Sequence, residues 1–534
     1  MAAATPTTFV SALPAPSRGG NIAAAGRYPR DVGYVLASNE APLRTPALTR
    51  AAAAAATACV ALAASASSRR QKKLGRRTRG ARGALTPRRQ EPEITADDES
   101  CAIVDCPEGD DDCAVRQEGG PTDSQVCNAD DRLSVRMDGT WYDLTNWRKA
   151  HPAGQHWIDA FKGRDATEVM HAFHSEVAKK MVPRLPRTRP EFIPQGVPEP
   201  RPTTFAFRKL REELERDGWF RRNIFGEIRT LLPWVVTLAA GIWMAQKPGG
   251  WWTAGAMAFL AISNTLSGWI AHDYVHGRGW WPSLMRNFGP LTGGLAPLWW
   301  SWKHNMHHAC TNSVGYDEDI AMMPVLYLWA PNKETESRFR KYQHWFFLVP
   351  YSALFVLWRF DSARVVLQQK KWDEVACLAL HYAAYLSVVP AGLFFWSIVL
   401  SGLMTSVIVT VTHQSEEMIG AESDDAVTKY DWAEAQFNTT RNAKLGNPIS
   451  DIIWGGMQWQ LEHHLFPTMP RYKYHKLSPK LKAWAKEQGI EYRQSGEIEI
   501  LIKNWQTLKK AGTAPVSDAS RDGTPKFKFG GVSA

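Results

Sequence analysis

The sequence predicts a multi-domain chain whose larger part is an all-α integral membrane domain with about four transmembrane helices. Three observations predict it. Four apolar segments close to bilayer-spanning length fall at residues 231–245, 251–270, 377–389 and 392–411. The 24 tryptophans crowd the same region, Trp251, Trp252, Trp280, Trp281, Trp299, Trp300 and Trp302 among them, and indole favours membrane–water interfaces. Short histidine clusters lie beside these segments, where ionisable groups are costly and usually functional.

The segments pair into hairpins. Pro248-Gly249-Gly250 breaks the first pair, and Pro390 and Gly392 stand near the turn of the second. A fifth apolar segment, 345–358, is short and contains Pro350. If all the histidine clusters serve one site, an even number of crossings separates them, so 345–358 is expected to lie in the interface. Residues 281–302, rich in Gly and Pro, are expected to be re-entrant or interfacial.

The histidine clusters carry the chemistry. They read His272-Asp-Tyr-Val-His276, His304-Asn-Met-His307-His308 and Gln460-Leu-Glu-His463-His464, and His413 ends an apolar run. On a helix, residues three and four apart share a face, so each cluster points its imidazoles one way. Imidazole ligates iron, copper and zinc, and eight in one region suggest more than one ion. The lack of cysteine among them disfavours an iron–sulfur cluster or a thiolate zinc site.

The order His-x-x-x-His, His-x-x-His-His, Gln-x-x-His-His resembles the histidine boxes of membrane fatty-acyl desaturases, over roughly residues 130–510. A glutamine opening the third box marks the front-end group, whose members carry a fused cytochrome b5 domain. The resemblance implies two non-haem iron ions with O2 as co-substrate, held by His272, His276, His304, His307, His308, His413, His463 and His464. It places Gln460 near the metals, as a weak ligand or through water. It implies a new cis double bond between an existing one and the carboxyl end of a polyunsaturated acyl chain, carried on a lipid or on coenzyme A.

Upstream, Trp141 to Trp147 leads into His151-Pro-Ala-Gly154, then Gly163-Arg-Asp165-Ala-Thr167 and Phe173-His174-Ser175. This is similar to a cytochrome b5 domain. The resemblance implies a small α+β domain in which His151 and His174 are the axial ligands of haem b. Two imidazoles leave no axial position for oxygen, which suits electron transfer. The family's usual first glycine is Ala153 here, a cost if that position needs a positive φ. His156 and His171 read as surface histidines. An external reductase is the implied electron source.

The remaining boundaries follow from composition. Residues 1–90 hold 15 Lys or Arg against Asp31 and Glu40, so the whole-chain charge of +10 belongs to this extension and the rest is slightly acidic. Rich in Ala, Ser, Thr and Arg, it reads as an organelle transit peptide, favouring a plastid membrane with the endoplasmic reticulum as alternative. No nucleic-acid partner is expected. Residues 91–131 read as an acidic disordered linker whose Cys101, Cys106, Cys113 and Cys127 lack metal-site spacing. The haem domain is placed at 132–182, a Pro-rich linker at 183–204, the desaturase domain at 205–510 and a disordered tail at 511–534. Three other readings stand beside the front-end one: a sphingoid long-chain-base desaturase, an acyl hydroxylase on the same di-iron scaffold, and a non-catalytic haem electron carrier.

Overall fold

The computed structural model describes residues 132–151, 153–422 and 429–526. The expected transit peptide and the acidic linker with its four cysteines lie outside the described residues.

The chain enters as a hairpin. β1 (Ser134–Met137) pairs antiparallel with β2 (Thr140–Asp143), Val135 opposite Tyr142. The turn is Asp138-Gly139, both at positive φ (48° and 77°), the pair that best closes a two-residue hairpin. Leu133, Val135, Met137 and Tyr142 pack against Phe161 and Met170, the latter from α1 (Thr167–Phe173). This is the small α+β domain that the sequence predicted. Its core does not close on itself: Met306, Ala309, Cys310 and Tyr316 of the larger domain complete it. The Pro-rich segment is tied down as well. The amide of Asp143 donates to Pro186 O at 2.9 Å, and Arg136 Nη2 to Pro198 O at 2.7 Å.

The larger domain is helical. α2 (Pro202–Arg216) starts with proline at its first turn, where the missing N–H costs nothing. It buries Phe207 and Leu214 against Phe437, Phe466 and Leu477. α3 (Ile224–Ala245) and α4 (Gly250–His276) form the first long hairpin, turned at Gly249 (φ 107°). They touch closely at Gly241, where a Cβ would come 2.8 Å from Leu260 Cγ. α5 (Pro297–Ala309) follows a stretch broken into short helical turns. α6 (Leu348–Gln368), α7 (Trp372–Val388) and α8 (Ala391–Val411) complete the bundle.

Among the described residues, α3, α4 and α8 are long and apolar enough to cross a bilayer by length and composition. α7, at 17 residues, is the short fourth member of the two hairpins. Large apolar side chains stand outward along these helices, with Phe225 81% and Trp396 59% exposed, as a lipid-facing surface requires. The segment 345–358 is longer than its apolar run suggests. It continues through Arg359, Asp361 and Arg364 to the end of α6, which packs along α8.

Shorter helices follow, among them α9 (Trp432–Thr439), α10 (Gln460–Leu465) and α11 (Tyr474–Glu487). A short parallel pair, β3 (Asn442–Lys444) with β4 (Gln494–Gly496), precedes α12 (Glu497–Thr513). The expectation of disorder from Ala511 onward is corrected for the described part. Gln343 Nε2 donates to Leu508 O at 2.6 Å, and Arg340 Nη1 to Gly512 O at 2.9 Å. Beyond α12, the Ser517 amide bonds Pro331 O at 3.0 Å and the Lys526 amide bonds Gly315 O at 2.7 Å. Backbone hydrogen bonds to distant loops, rather than apolar periodicity, order this strap.

Candidate metal centres

Each box is delivered by a helix end. His272 and His276 occupy the last turn of α4, which runs past its apolar stretch to carry them inward. His304, His307 and His308 lie on α5, and Gln460, His463 and His464 on α10. His413 follows α8 by two residues. All nine side chains are buried.

The eight histidines divide into two groups. His272, His276, His304, His308 and His463 bring five ring nitrogens within 4.8 Å of one another, as do His307, His413 and His464 for three. His272 is central to the first group: its Nε2 lies 2.6 Å from His304 Nε2, 3.0 Å from His463 Nε2 and 3.1 Å from His276 Nε2. Gln460 sits on the second, its Nε2 3.1 Å from His413 Nε2 and 3.4 Å from His464 Nε2, while its Oε1 is buried without a partner.

The other ring nitrogen is held from behind in four of the eight. His307 Nδ1 meets Asp317 Oδ2 at 2.8 Å, His413 Nδ1 meets Thr439 O at 3.0 Å and His464 Nδ1 meets Gln436 Oε1 at 3.0 Å. His463 Nδ1 faces the Tyr474 hydroxyl at 3.2 Å. A neutral imidazole has one N–H; spent on these acceptors, it leaves the Nε2 lone pair aimed at its neighbours. Burial pushes His308, His463 and His464 well below their usual range, so they are neutral at pH 7. Against the cost of burial, the Asp317 carboxylate raises His307. Several lone pairs converging in a dry site repel unless a cation sits among them, so the donor set fits metal ions.

Asp317, Gln436, Tyr474 and Asn442 are functional residues that the sequence reading missed. Asn442 Nδ2 donates to Glu462 at 2.7 Å and its Oδ1 accepts the Leu461 amide at 2.9 Å, which fixes α10. Asp317 is fully enclosed and also accepts the Asn312 amide at 2.8 Å. Asp317→Asn keeps the shape but weakens the anchor of His307. A loss of about 10- to 100-fold in substrate conversion is expected, with an unchanged haem spectrum, checked by product analysis beside absorption spectroscopy. Glu416, next to His413, does not reach an imidazole; Arg441 and Arg493 engage it at 2.6 and 2.9 Å.

A cavity of 480 Å³ opens against the histidines. His272, His304, His307, His413 and Gln460 line it together with apolar side chains of α4, α6 and α8, such as Leu354, Phe355 and Val409.

In the upstream domain, His151 and His174 face each other with ring centres 6.0 Å apart. That gap suits one metal between two imidazoles at about 2 Å per bond. His151 Nδ1 bonds Gly154 O at 3.0 Å and His174 Nδ1 bonds Met170 O at 3.1 Å, so both Nε2 atoms face inward for a ligand. Burial, then the neighbouring His151, pushes His174 down to about 4, keeping it neutral. The loop takes its positive φ at Gly154 (110°). The two histidines expected at the surface are half-buried: His156 packs on Trp157, and His171 pairs with Asp138 at 2.8 Å.

Comparison with known proteins covers both domains. The model of the family "Fatty acid desaturase" matches residues 249–496, and that of the "Cytochrome b5-like Heme/Steroid binding domain" matches residues 123–189. The acyl-lipid 8-desaturase of Rebecca salina is 29% identical over 409 residues, covering 73% of this chain and 94% of that protein. The Delta(6)-fatty-acid desaturase of Caenorhabditis elegans is 28% identical over 436 residues, covering 71% of this chain and 96% of that protein. Fatty acid desaturase 3 of Bos taurus is 30% identical over 402 residues, covering 70% of this chain and 88% of that protein. With two buried histidine groups behind an apolar cavity and a fused domain upstream, the chain belongs to the fatty acid desaturase family, as an integral-membrane oxidoreductase carrying a cytochrome b5-like domain.

Proposed function

We propose that this chain is a front-end acyl desaturase, placing a cis double bond between an existing one and the carboxyl end of a polyunsaturated chain linked to lipid or coenzyme A. The observation that carries the reading is the partition of eight histidines into a group of five and a group of three, each of which reaches the wall of one apolar cavity. His272, His276, His304, His308 and His463 would hold one iron. His307, His413 and His464 would hold the other, with Gln460 beside them; turning its amide by 180° sets the orphaned Oε1 against His413 and His464, where a carbonyl oxygen can ligate. His151 and His174 would hold haem b.

When bound, these groups supply one-electron delivery, O2 activation and removal of hydrogen from an unactivated methylene. The protein does the rest. Leu354, Phe355 and Val409 keep an acyl chain dry and aligned, so one methylene pair is presented to the histidine wall. Asp317, Thr439, Gln436 and Tyr474 fix the imidazole orientations. An external reductase feeds the haem. The basic residues 1–90 favour a plastid membrane over the endoplasmic reticulum.

The test is a fatty-acid profile of yeast expressing the chain and fed a panel of polyunsaturated acids. A more unsaturated product with its added double bond on the carboxyl side, absent from a His304→Ala control, is the expected result. A hydroxy acid or a modified long-chain base in its place overturns the reading.

A further inference from the structure

We propose that Phe173 is the contact through which electrons pass from the upstream domain to the five-histidine group, and that Arg278 is the positioning residue that holds it there. The inference rests on the haem and iron reading above. Phe173 immediately precedes the axial histidine His174 and closes α1. Its buried ring lies 6.1 Å, centre to centre, from His276 and 6.1 Å from His308, both members of the five-histidine group. One residue therefore joins the backbone of a haem ligand to van der Waals range of two metal-facing imidazoles.

The backbone is clamped as well. Arg278 Nε donates to Phe173 O at 2.7 Å, and its Nη2 donates to the same carbonyl. Its Nη1 donates to His276 O at 2.6 Å. A single guanidinium thus fixes the carbonyl of Phe173 against that of a box-one histidine, and its rigid fork holds both at once. Neighbouring contacts seat the two domains together: Arg164 Nη2 donates to the Tyr316 hydroxyl at 2.7 Å, and Arg208 pairs with Glu168 at 2.6 Å. A further contact between aromatic rings across this boundary among the described residues, His156 with Trp302 at 6.4 Å, includes neither His151 or His174 nor a member of the histidine groups.

Electrons would pass along this contact one at a time, each leaving a haem that His151 and His174 would hold and reaching the metal that the five-histidine group would hold. Two such transfers, with two electrons from two C–H bonds of the acyl chain, reduce one O2 to two waters. Two of the four protons come from the chain and two from solvent. The reductant is the external reductase already invoked.

Haem reoxidation is the readout. The purified holoenzyme is reduced anaerobically, mixed with oxygenated buffer containing acyl substrate, and followed by haem absorbance. Phe173→Leu is expected to keep its haem content and its oxidised and reduced spectra while reoxidation slows severalfold. Phe173→Tyr, which retains the ring, restores the rate. Arg278→Gln, which keeps the Phe173 side chain but releases the carbonyl that positions it, slows reoxidation too. Wild-type reoxidation in Phe173→Leu overturns the proposal. Should that variant lose haem, a wild-type rate in Arg278→Gln overturns it instead. A wild-type enzyme without a bis-imidazole haem spectrum, or without substrate-dependent reoxidation, overturns the underlying haem and iron reading.

Discussion

His272→Ala is expected to abolish desaturation and to remove iron from the five-histidine site while leaving the haem in place. The reason is geometric. His272 Nε2 is within 3.1 Å of three other ring nitrogens, so it stands at the centre of its group rather than at the rim. Loss of a residue that only orients a ligand typically costs about 10- to 100-fold, so loss of a central ligand should exceed about 100-fold. Iron analysis against haem absorbance checks the claim: the intact enzyme should carry two irons beyond the haem, and the variant no more than one. His381→Ala is the matched control. That histidine is equally buried but bonds only Leu291 O at 3.2 Å, away from both groups, so its removal should leave the iron count unchanged. Two non-haem irons and normal turnover in His272→Ala would sink the five-ligand assignment.

The clustered imidazoles were legible in the sequence because histidine is rare and its spacing is local. His304, His307 and His308 fall on one face of one helix by the helical repeat alone, and so do Gln460, His463 and His464. His413, with no box around it, was readable only through the family pattern. What could not be read are the groups behind the imidazoles. Gln436 meets His464 across 28 positions and Tyr474 meets His463 across 11, contacts made by chain closure and carried by residue types common everywhere. Helix lengths were misjudged where polar residues continue a helix. α4 runs on through Asp273 to His276, where Arg222 and the Arg471 amide engage the carboxylate, and α6 runs on through Arg359, Asp361 and Arg364. The shared core between the two domains was invisible as well: Met306, Ala309 and Cys310 look like the back of a box-two helix until a second domain is packed on them.

The second large effect concerns the upstream domain. His174→Ala is expected to leave both iron sites filled yet to stop desaturation driven by the reductase. His151 and His174 each give their Nδ1 hydrogen to a backbone carbonyl, which fixes both Nε2 atoms toward the space between the rings. Removing one imidazole would leave a haem bound there with a single histidine to hold it. A haem still retained there would react with oxygen directly, spending its electrons before they reach the second site. A haem that is lost delivers none. Either way, the low-spin bis-imidazole spectrum disappears while the non-haem iron content stays at the wild-type level, and product formation falls with the spectrum. The opposite pattern, full product formation without that spectrum, would mean that electrons enter the histidine groups by a route that bypasses the fused domain. The packing argues against a bypass: the neighbour of His174, Phe173, already rests against His276 and His308.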